Sequence, residues 1–326
     1  MRNRFCLLVT VVIIAACTGD GVAAEKNRAA FYTKLRSASV KILTNGQLAG
    51  SGSFVDPDGI VLTAAHVIRG KNRKIEVVSP GFGRMKGERL AVDFGHDLAL
   101  LRVPKADKPF PTLKIAEKMS PPTDDVFLIC SPLWRHDLLL KGTVARLAPT
   151  YCWSAGTKCF VECFYIAGAS PIGSSGGSWV NGEGCIIGVQ SGYLNNKDKS
   201  PVGIAYCSTT EAVKKLVSSR KDVQTASMNC VIEELWTQKP GFIARLPKGT
   251  GGPVTPIVHK GGAAEKAGFT NETIILEADG KPILYRDDLM KVVRAGKPGD
   301  KLKLKIIEPI GKPAREVEMK LGGITD

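Results

Sequence analysis

Between Val40 and Cys207 the chain is a succession of short apolar or alternating runs: VKIL, GSFV, GIVLTAAHVI, KIEVV, ERLAV, LALLRV, VFLIC, GTVARL, FVECFYIA, SWV, CIIGV and GIAYC. Gly, Pro, Asn and Asp punctuate them. Most of the runs are too short for a buried helix, and their spacing predicts an all-β sandwich or a pair of barrels. Thr209-Thr210-Glu211 then opens an amphipathic helix running to about Arg220, and residues 221–231 are polar. From Ile232 the texture changes to mixed α+β, with strand-like GPVTPIV, a short helical GGAAEKAG, the strand and turn of TIILEADGKPI, the helix DDLMKVVRAG and the alternating strand DKLKLKIIE. The expected organisation is a leader over 1–24, an N-terminal segment over 25–38, a β-rich domain over 39–222, a linker over 223–231 and a smaller α+β domain over 232–326.

The leader reading rests on two arginines within Met1–Arg4 followed by an apolar stretch from Phe5 to Ala16, too short to span a bilayer comfortably. Two processing sites compete. Ile14-Ala15-Ala16-Cys17 resembles a lipobox that would acylate Cys17, giving a lipid anchor, and Val22-Ala23-Ala24 resembles an ordinary small-residue site that would release a chain starting at Glu25. Either implies export to the periplasm or cell envelope, which permits disulfides. Cys152, Cys159 and Cys163 crowd into one segment, so a local bridge is expected there, and Cys130 reads as a buried core thiol. No CxxC pair or nearby histidine points to zinc, and no metal or cofactor is implied.

The formal charge is +14, and of 45 Lys and Arg residues 29 precede residue 232, against 18 of the 31 acids. Arg69, Lys71, Arg73, Lys74, Arg84, Lys86 and Arg89 face only Glu76 and Glu88 in sequence. Without a nucleic-acid motif or interleaved aromatics they read as solvated loops around a hairpin rather than as a polyanion-docking surface, and no nucleic-acid partner is expected.

Three segments can carry chemistry. GSGSFVDPDGIVLTAAHVI places His66 at the end of an apolar strand, FGHDLALLRV places Asp97 before a buried run, and SPIGSSGGSWV places Ser175 in a glycine-flanked loop. A serine hydroxyl needs a neutral imidazole to take its proton, and that imidazole needs a carboxylate to fix its tautomer. The glycines let the Gly173 and Ser175 amides converge on a developing oxyanion. Taken singly, His66 could be a core histidine, Asp97 a strand-edge cap and Ser175 part of an ordinary turn. His96, His136 and His259 lack motif context and read as surface residues.

Together the motifs resemble the HtrA/Deg branch of the trypsin-like serine proteases. TAAHVI is similar to their histidine motif, HDLALLRV to their D-L-A-L motif and GSSGGS to GNSGGP or GSSGGP. VFLICSPL with GTVARL, and VGIAYCSTTEAVKKL, are similar to further strands and the closing helix over about residues 39–220. The resemblance implies a chymotrypsin-like double β-barrel, a serine endopeptidase with His66, Asp97 and Ser175 as triad, Gly173 and Ser175 as oxyanion hole, protein or peptide substrates, and a homo-oligomer, a trimer first. Ala169, Ser170, Ser191 and Gly192 are its candidate S1 residues. With no acid at Ala169 or Ser170, a small or medium apolar P1 residue is expected. Ser174 stands where self-processed trypsins carry the Asp that pairs with a new N-terminus, and Ser178 stands where the family usually has Pro. Residues 232–326 resemble a PDZ domain, which binds a peptide C-terminus by strand addition, with Gly241-Phe242-Ile243 as candidate carboxylate loop.

Overall fold

The computed structural model describes residues 27–324 apart from 71, 147, 197 and 309–312. The leader, with both expected processing sites and Cys17, lies outside the described residues. A helix over 27–38 (α1) leads into six strands: β1 (Ser39–Thr44), β2 (Gln47–Asp56), β3 (Ile60–Thr63), β4 (Ile75–Ser79), β5 (Gly83–Asp93) and β6 (Leu98–Arg102). They close into an antiparallel barrel in the order β1-β2-β3-β6-β5-β4, with the single-turn helix α2 (Ala65–Ile68) leaving the end of β3.

Seven more strands follow: β7 (Asp125–Cys130), β8 (Leu138–Val144), β9 (Thr150–Ser154), β10 (Cys159–Gly168), β11 (Ser178–Val180), β12 (Ile186–Asn195) and β13 (Pro201–Cys207). Their order is β13-β12-β11-β7-β8-β10, and β10 pairs back with β13 to close a second barrel, from which β9 projects as the partner of β10. This is the chymotrypsin-like double barrel that the sequence led us to expect. Helix α3 (Thr210–Ser219) is N-capped by the Thr209 side chain and buries Val213 and Leu216 in the same core as the first barrel.

The C-terminal part holds β14 (Ala226–Ser227), β15 (Cys230–Glu233), α4 (Pro240–Ile243), β16 (Val254–Val258), α5 (Ala263–Lys266), β17 (Thr273–Ala278), β18 (Lys281–Pro282), α6 (Arg286–Ala295), β19 (Lys301–Ile307), β20 (Arg315–Lys320) and β21 (Gly322–Gly323). Its sheet runs β15-β16-β17-β19-β20. Strand β19 shows why: Leu302, Leu304 and Ile306 point into the core while Lys301 and Lys303 point out, a period of two. Helix α6 buries Leu289, Met290 and Val293 at helical spacing.

Residues 223–231, expected as a linker, are largely tied down. Val223 bridges to Asp93, β14 pairs with β21, and β15 is an edge strand of the C-terminal sheet. The two parts also share a core, because the outward-facing Tyr151 and Phe160 of the β9–β10 hairpin are buried with Met228, Ile232, Met290 and Val293.

All seven cysteines of the described residues are free thiols, so the expected local bridge is absent. Cys152 stands opposite Val161, diagonal to both Cys159 and Cys163. Cys159 and Cys163 are separated by four residues of one strand, roughly 13 Å, too far to bridge, whereas the Cys152 and Cys163 thiols meet side by side with no disulfide between them. Cys130 is buried as expected, and burial pushes its thiol up to about 12. Non-reducing peptide mapping should find no bridge joining Cys159 to Cys163; recovery of one would refute this register.

The basic stretch forms the β4–β5 hairpin and its approach. Lys74 and Arg84 both pair with Glu76, Lys86 pairs with Glu88, and Arg89 reaches Asp222. The charges are largely met within the protein, in keeping with solvated loops.

Candidate active site

His66 is set by Asp97 through three separate contacts. The Asp97 carbonyl accepts the Ala65 amide (3.1 Å), its Oδ1 accepts the His66 amide (2.9 Å) and its Oδ2 lies 2.7 Å from His66 Nδ1. The carboxylate therefore caps α2 and orients the imidazole at once. Asp97 is buried and has φ +54, a left-handed conformation that Asp tolerates better than most side chains, at the turn from β5 into β6.

Oδ2 also accepts a short hydrogen bond from the buried Ser191 hydroxyl. Sequence reasoning placed Ser191 in the S1 pocket, whereas the structure puts its side chain on Asp97. The only signal was a polar residue at the end of the apolar run CIIGVQS. Its neighbour Gln190 is fixed as well, since buried Trp179 donates its indole N–H to Gln190 Oε1 (2.6 Å) and Gln190 Nε2 donates to the Gly192 carbonyl (2.6 Å).

Burial pulls the His66 imidazole down, and the charge and hydrogen bond of Asp97 more than offset it, so its pKa lies above 6.5. An Asp-oriented imidazole of this kind can hold a proton and pass it on, with the Nδ1 side already committed to the carboxylate.

The serine loop packs against the same helix. A Cβ on Gly50 would lie 2.6 Å from the Ser175 carbonyl and 2.7 Å from Val67, the residue after His66, so both close on one point. Ser51 donates its amide to the Ser175 carbonyl (2.8 Å). Gly176, at φ +84, is wedged where any Cβ would collide with the Ser51 carbonyl and Thr63 Oγ1. Gly176→Ala is therefore expected to cost a left-handed penalty of about 1–2 kcal/mol plus about 1–3 kcal/mol of overpacking, with loss of activity as the loop shifts. Urea denaturation measures it, and a change below about 1 kcal/mol would contradict the packing.

No hydrogen bond joins the Ser175 hydroxyl to His66 in this conformation, a contact that often tightens only with substrate. The Gly173 and Ser175 amides make no hydrogen bond among the described residues, while the Ile172 carbonyl is turned to the Leu133 amide (2.9 Å), which directs the Gly173 N–H the opposite way.

The other predicted positions spread out. Ala169 is exposed, Ser170 shares a hydrogen bond with buried Ser174 (3.2 Å), and Gly192 lies under the Tyr206 phenol, its partner across β12 and β13. Gly241, Phe242 and Ile243 are not a loop but most of α4. The Phe242 and Ile243 amides are spent on the Lys239 carbonyl, and Phe242 is buried with Val254 and Ile274, so two of the three amides are not available to hold a carboxylate. His136 is exposed as expected, but His96 is half-buried between two carboxylates and His259 packs edge-on against Trp153.

Residues 50–189 match the family model of the trypsin-like peptidase domain. The chain is 27% identical over 288 residues to a probable periplasmic serine endoprotease DegP-like of Pseudomonas savastanoi, covering 86% of this chain and 57% of the relative. It is 24% identical over 267 residues to the putative protease Do-like 14 of Arabidopsis thaliana, with 74% and 59% covered. The chain thus spans little more than half the length of the curated relatives it matches. Among solved structures, the HtrA-type protease AlgW with decapeptide superposes with a TM-score of 0.64 at 17% identity, covering 91% of this chain and 99% of that one. The serine endoprotease from Yersinia pestis gives 0.59 at 19%, with 90% and 97% covered. These likenesses carry the fold across both barrels and the C-terminal part, and residues 50–189 match a trypsin-like peptidase domain, which is also similar in sequence to the DegP-like relatives.

Proposed function

We propose that the protein is an exported serine endopeptidase that hydrolyses peptide bonds in unfolded or specific envelope proteins. The observation that carries the reading is the 2.7 Å contact between His66 Nδ1 and Asp97, held beside the glycine-flanked Ser175 loop. Ser175 Oγ attacks the scissile carbonyl and gives its proton to His66 Nε2. Asp97, held by Ser191, keeps the imidazole in the tautomer that can accept it and stabilises the imidazolium. The Gly173 and Ser175 amides receive the oxyanion, the leaving amine takes the proton from His66, and water releases the acyl group by the reverse sequence. Tyr206 over Gly192 narrows the space in which an S1 side chain would sit, which supports a small P1 residue.

The C-terminal part acts as a PDZ-like peptide-binding domain in this reading, with the free edge of β15 as the strand available for addition. The periplasmic naming of the relatives and the arginine-flanked apolar leader support export.

Incubation with a serine-directed phosphonate tests the proposal: mass spectrometry should find the adduct on Ser175 alone. A folded protein inert to the phosphonate and to casein would instead be a peptide-binding or chaperone-like protein on a protease fold.

A further inference from the structure

The turn that delivers Asp97 is bound to the rest of the molecule through its neighbour. We propose that His96 is a positioning residue: its imidazole, carrying both ring protons, ties the Asp93–Asp97 turn to strand β10, and losing one proton loosens the hold on Asp97. The proposal rests on the endopeptidase reading above.

His96 Nδ1 lies 2.8 Å from Asp93 Oδ2, and its Nε2 lies 3.7 Å from Glu162 Oε2 on β10. Its backbone amide also reaches Asp93 Oδ1 (3.2 Å). A neutral imidazole has one N–H and one lone pair, so it cannot donate to carboxylates on both sides. Deprotonation would turn a lone pair toward a carboxylate in a largely enclosed site, where such a mismatch is costly.

Each packed element contributes. Asp93 is buried at the end of β5, and Glu162 accepts the Tyr151 hydroxyl from β9 (3.3 Å). Arg294 from α6 acts electrostatically on the same neighbourhood, donating to the Phe160 and Ala226 carbonyls. Asp97 faces the other way, toward His66 and Ser191. The Glu162 amide also donates to the Gly95 carbonyl (2.9 Å), so β10 grips the turn at two points. Asp97 holds a left-handed φ, uncommon outside glycine though tolerated by Asp, so the contacts around the turn help to keep it there. The two carboxylates outweigh the effect of burial and raise the His96 pKa to about 9, so the residue is charged at neutral pH.

The sign follows. Because the folded value lies above the ordinary 6.5, the stabilisation is complete below pH 6.5 and is lost as pH rises toward 9. Turnover should therefore fall on an alkaline limb near pH 9, in kcat more than in KM.

The test is the pH profile of kcat and KM for wild type, His96→Gln and Glu162→Gln, with circular dichroism at each pH. His96→Gln should lower kcat at neutral pH by on the order of ten- to a hundred-fold and abolish the limb, because glutamine does not titrate. Glu162→Gln, which removes one of the two carboxylates, should move the limb to lower pH, and it decides the matter if His96→Gln does not fold. Profiles merely scaled down, with the limb unmoved, would overturn the proposal. Nitrogen-15 NMR of the wild-type imidazoles gives a readout independent of turnover: His96 should carry two N–H protons at pH 7, and a singly protonated ring overturns the proposal even if the protein cuts casein. A wild type that cuts nothing while His96 is doubly protonated would instead defeat the endopeptidase reading, and with it the role of His96 in turnover.

Discussion

Ser175→Ala should abolish peptide-bond cleavage while leaving the fold intact. The Ser175 hydroxyl makes no hydrogen bond among the described residues, whereas its carbonyl accepts from Ser51, so the loop is held by backbone that alanine keeps. What is lost is the atom that attacks. In serine proteases, removal of the nucleophile costs on the order of a million-fold in turnover, which leaves a rate near the limit of detection. Casein digestion by wild type and variant, with circular dichroism on both, measures it. A folded Ser175→Ala that still cuts at the wild-type rate would remove Ser175 from the mechanism.

Asp97→Asn should cost roughly ten-thousand-fold in kcat. Asp97 accepts from the His66 amide, from His66 Nδ1 and from the Ser191 hydroxyl. An asparagine has one acceptor oxygen. If its NH2 takes the Oδ2 position it donates to Nδ1 and drives the ring proton to Nε2, the wrong tautomer for a base; if it takes the Oδ1 position it meets the His66 N–H donor to donor. Asparagine accepts the left-handed backbone readily, so the variant should fold.

The pH dependence sharpens the test. Wild-type activity should rise with pH through a midpoint above 6.5, because Asp97 holds the His66 proton more tightly than burial releases it. In Asp97→Asn the charge is gone and burial remains, so the residual activity should rise at lower pH than in wild type. A midpoint that does not fall would mean that Asp97 is not what raises His66.

Much of this arrangement was legible in the sequence because it is local. TAAHVI, HDLALL and GSSGGS each carry their surroundings with them: an apolar strand that ends at the residue of interest, or glycines that a crowded loop requires. Gly176 shows the link, since the collision that excludes a side chain there involves β2 and the end of β3, elements adjacent to His66. Alternation in DKLKLKIIE likewise specified which face of β19 is buried.

What the sequence determined by itself was the periodicity, and hence the strands, the amphipathic helices and the residue types presented at their ends. Contacts between segments distant along the chain were decided only by the tertiary structure. Ser191 meets Asp97 across 94 residues, and a serine ending an apolar strand looks the same whether it lines a pocket or supports a carboxylate. His96 was read as a surface residue because its second carboxylate, Glu162, comes from the other barrel. Spacing within the cysteine cluster does not reveal which thiols meet, and the register, with Cys152 opposite Val161, sets Cys152 against Cys163 and leaves Cys159 far from Cys163. Gly241-Phe242-Ile243 reads in sequence as a carboxylate loop, but a helical turn consumes two of its three amides. Strand and helix signals act over a few residues, so one chain can display them; partner choice depends on which surfaces the closed barrels bring together.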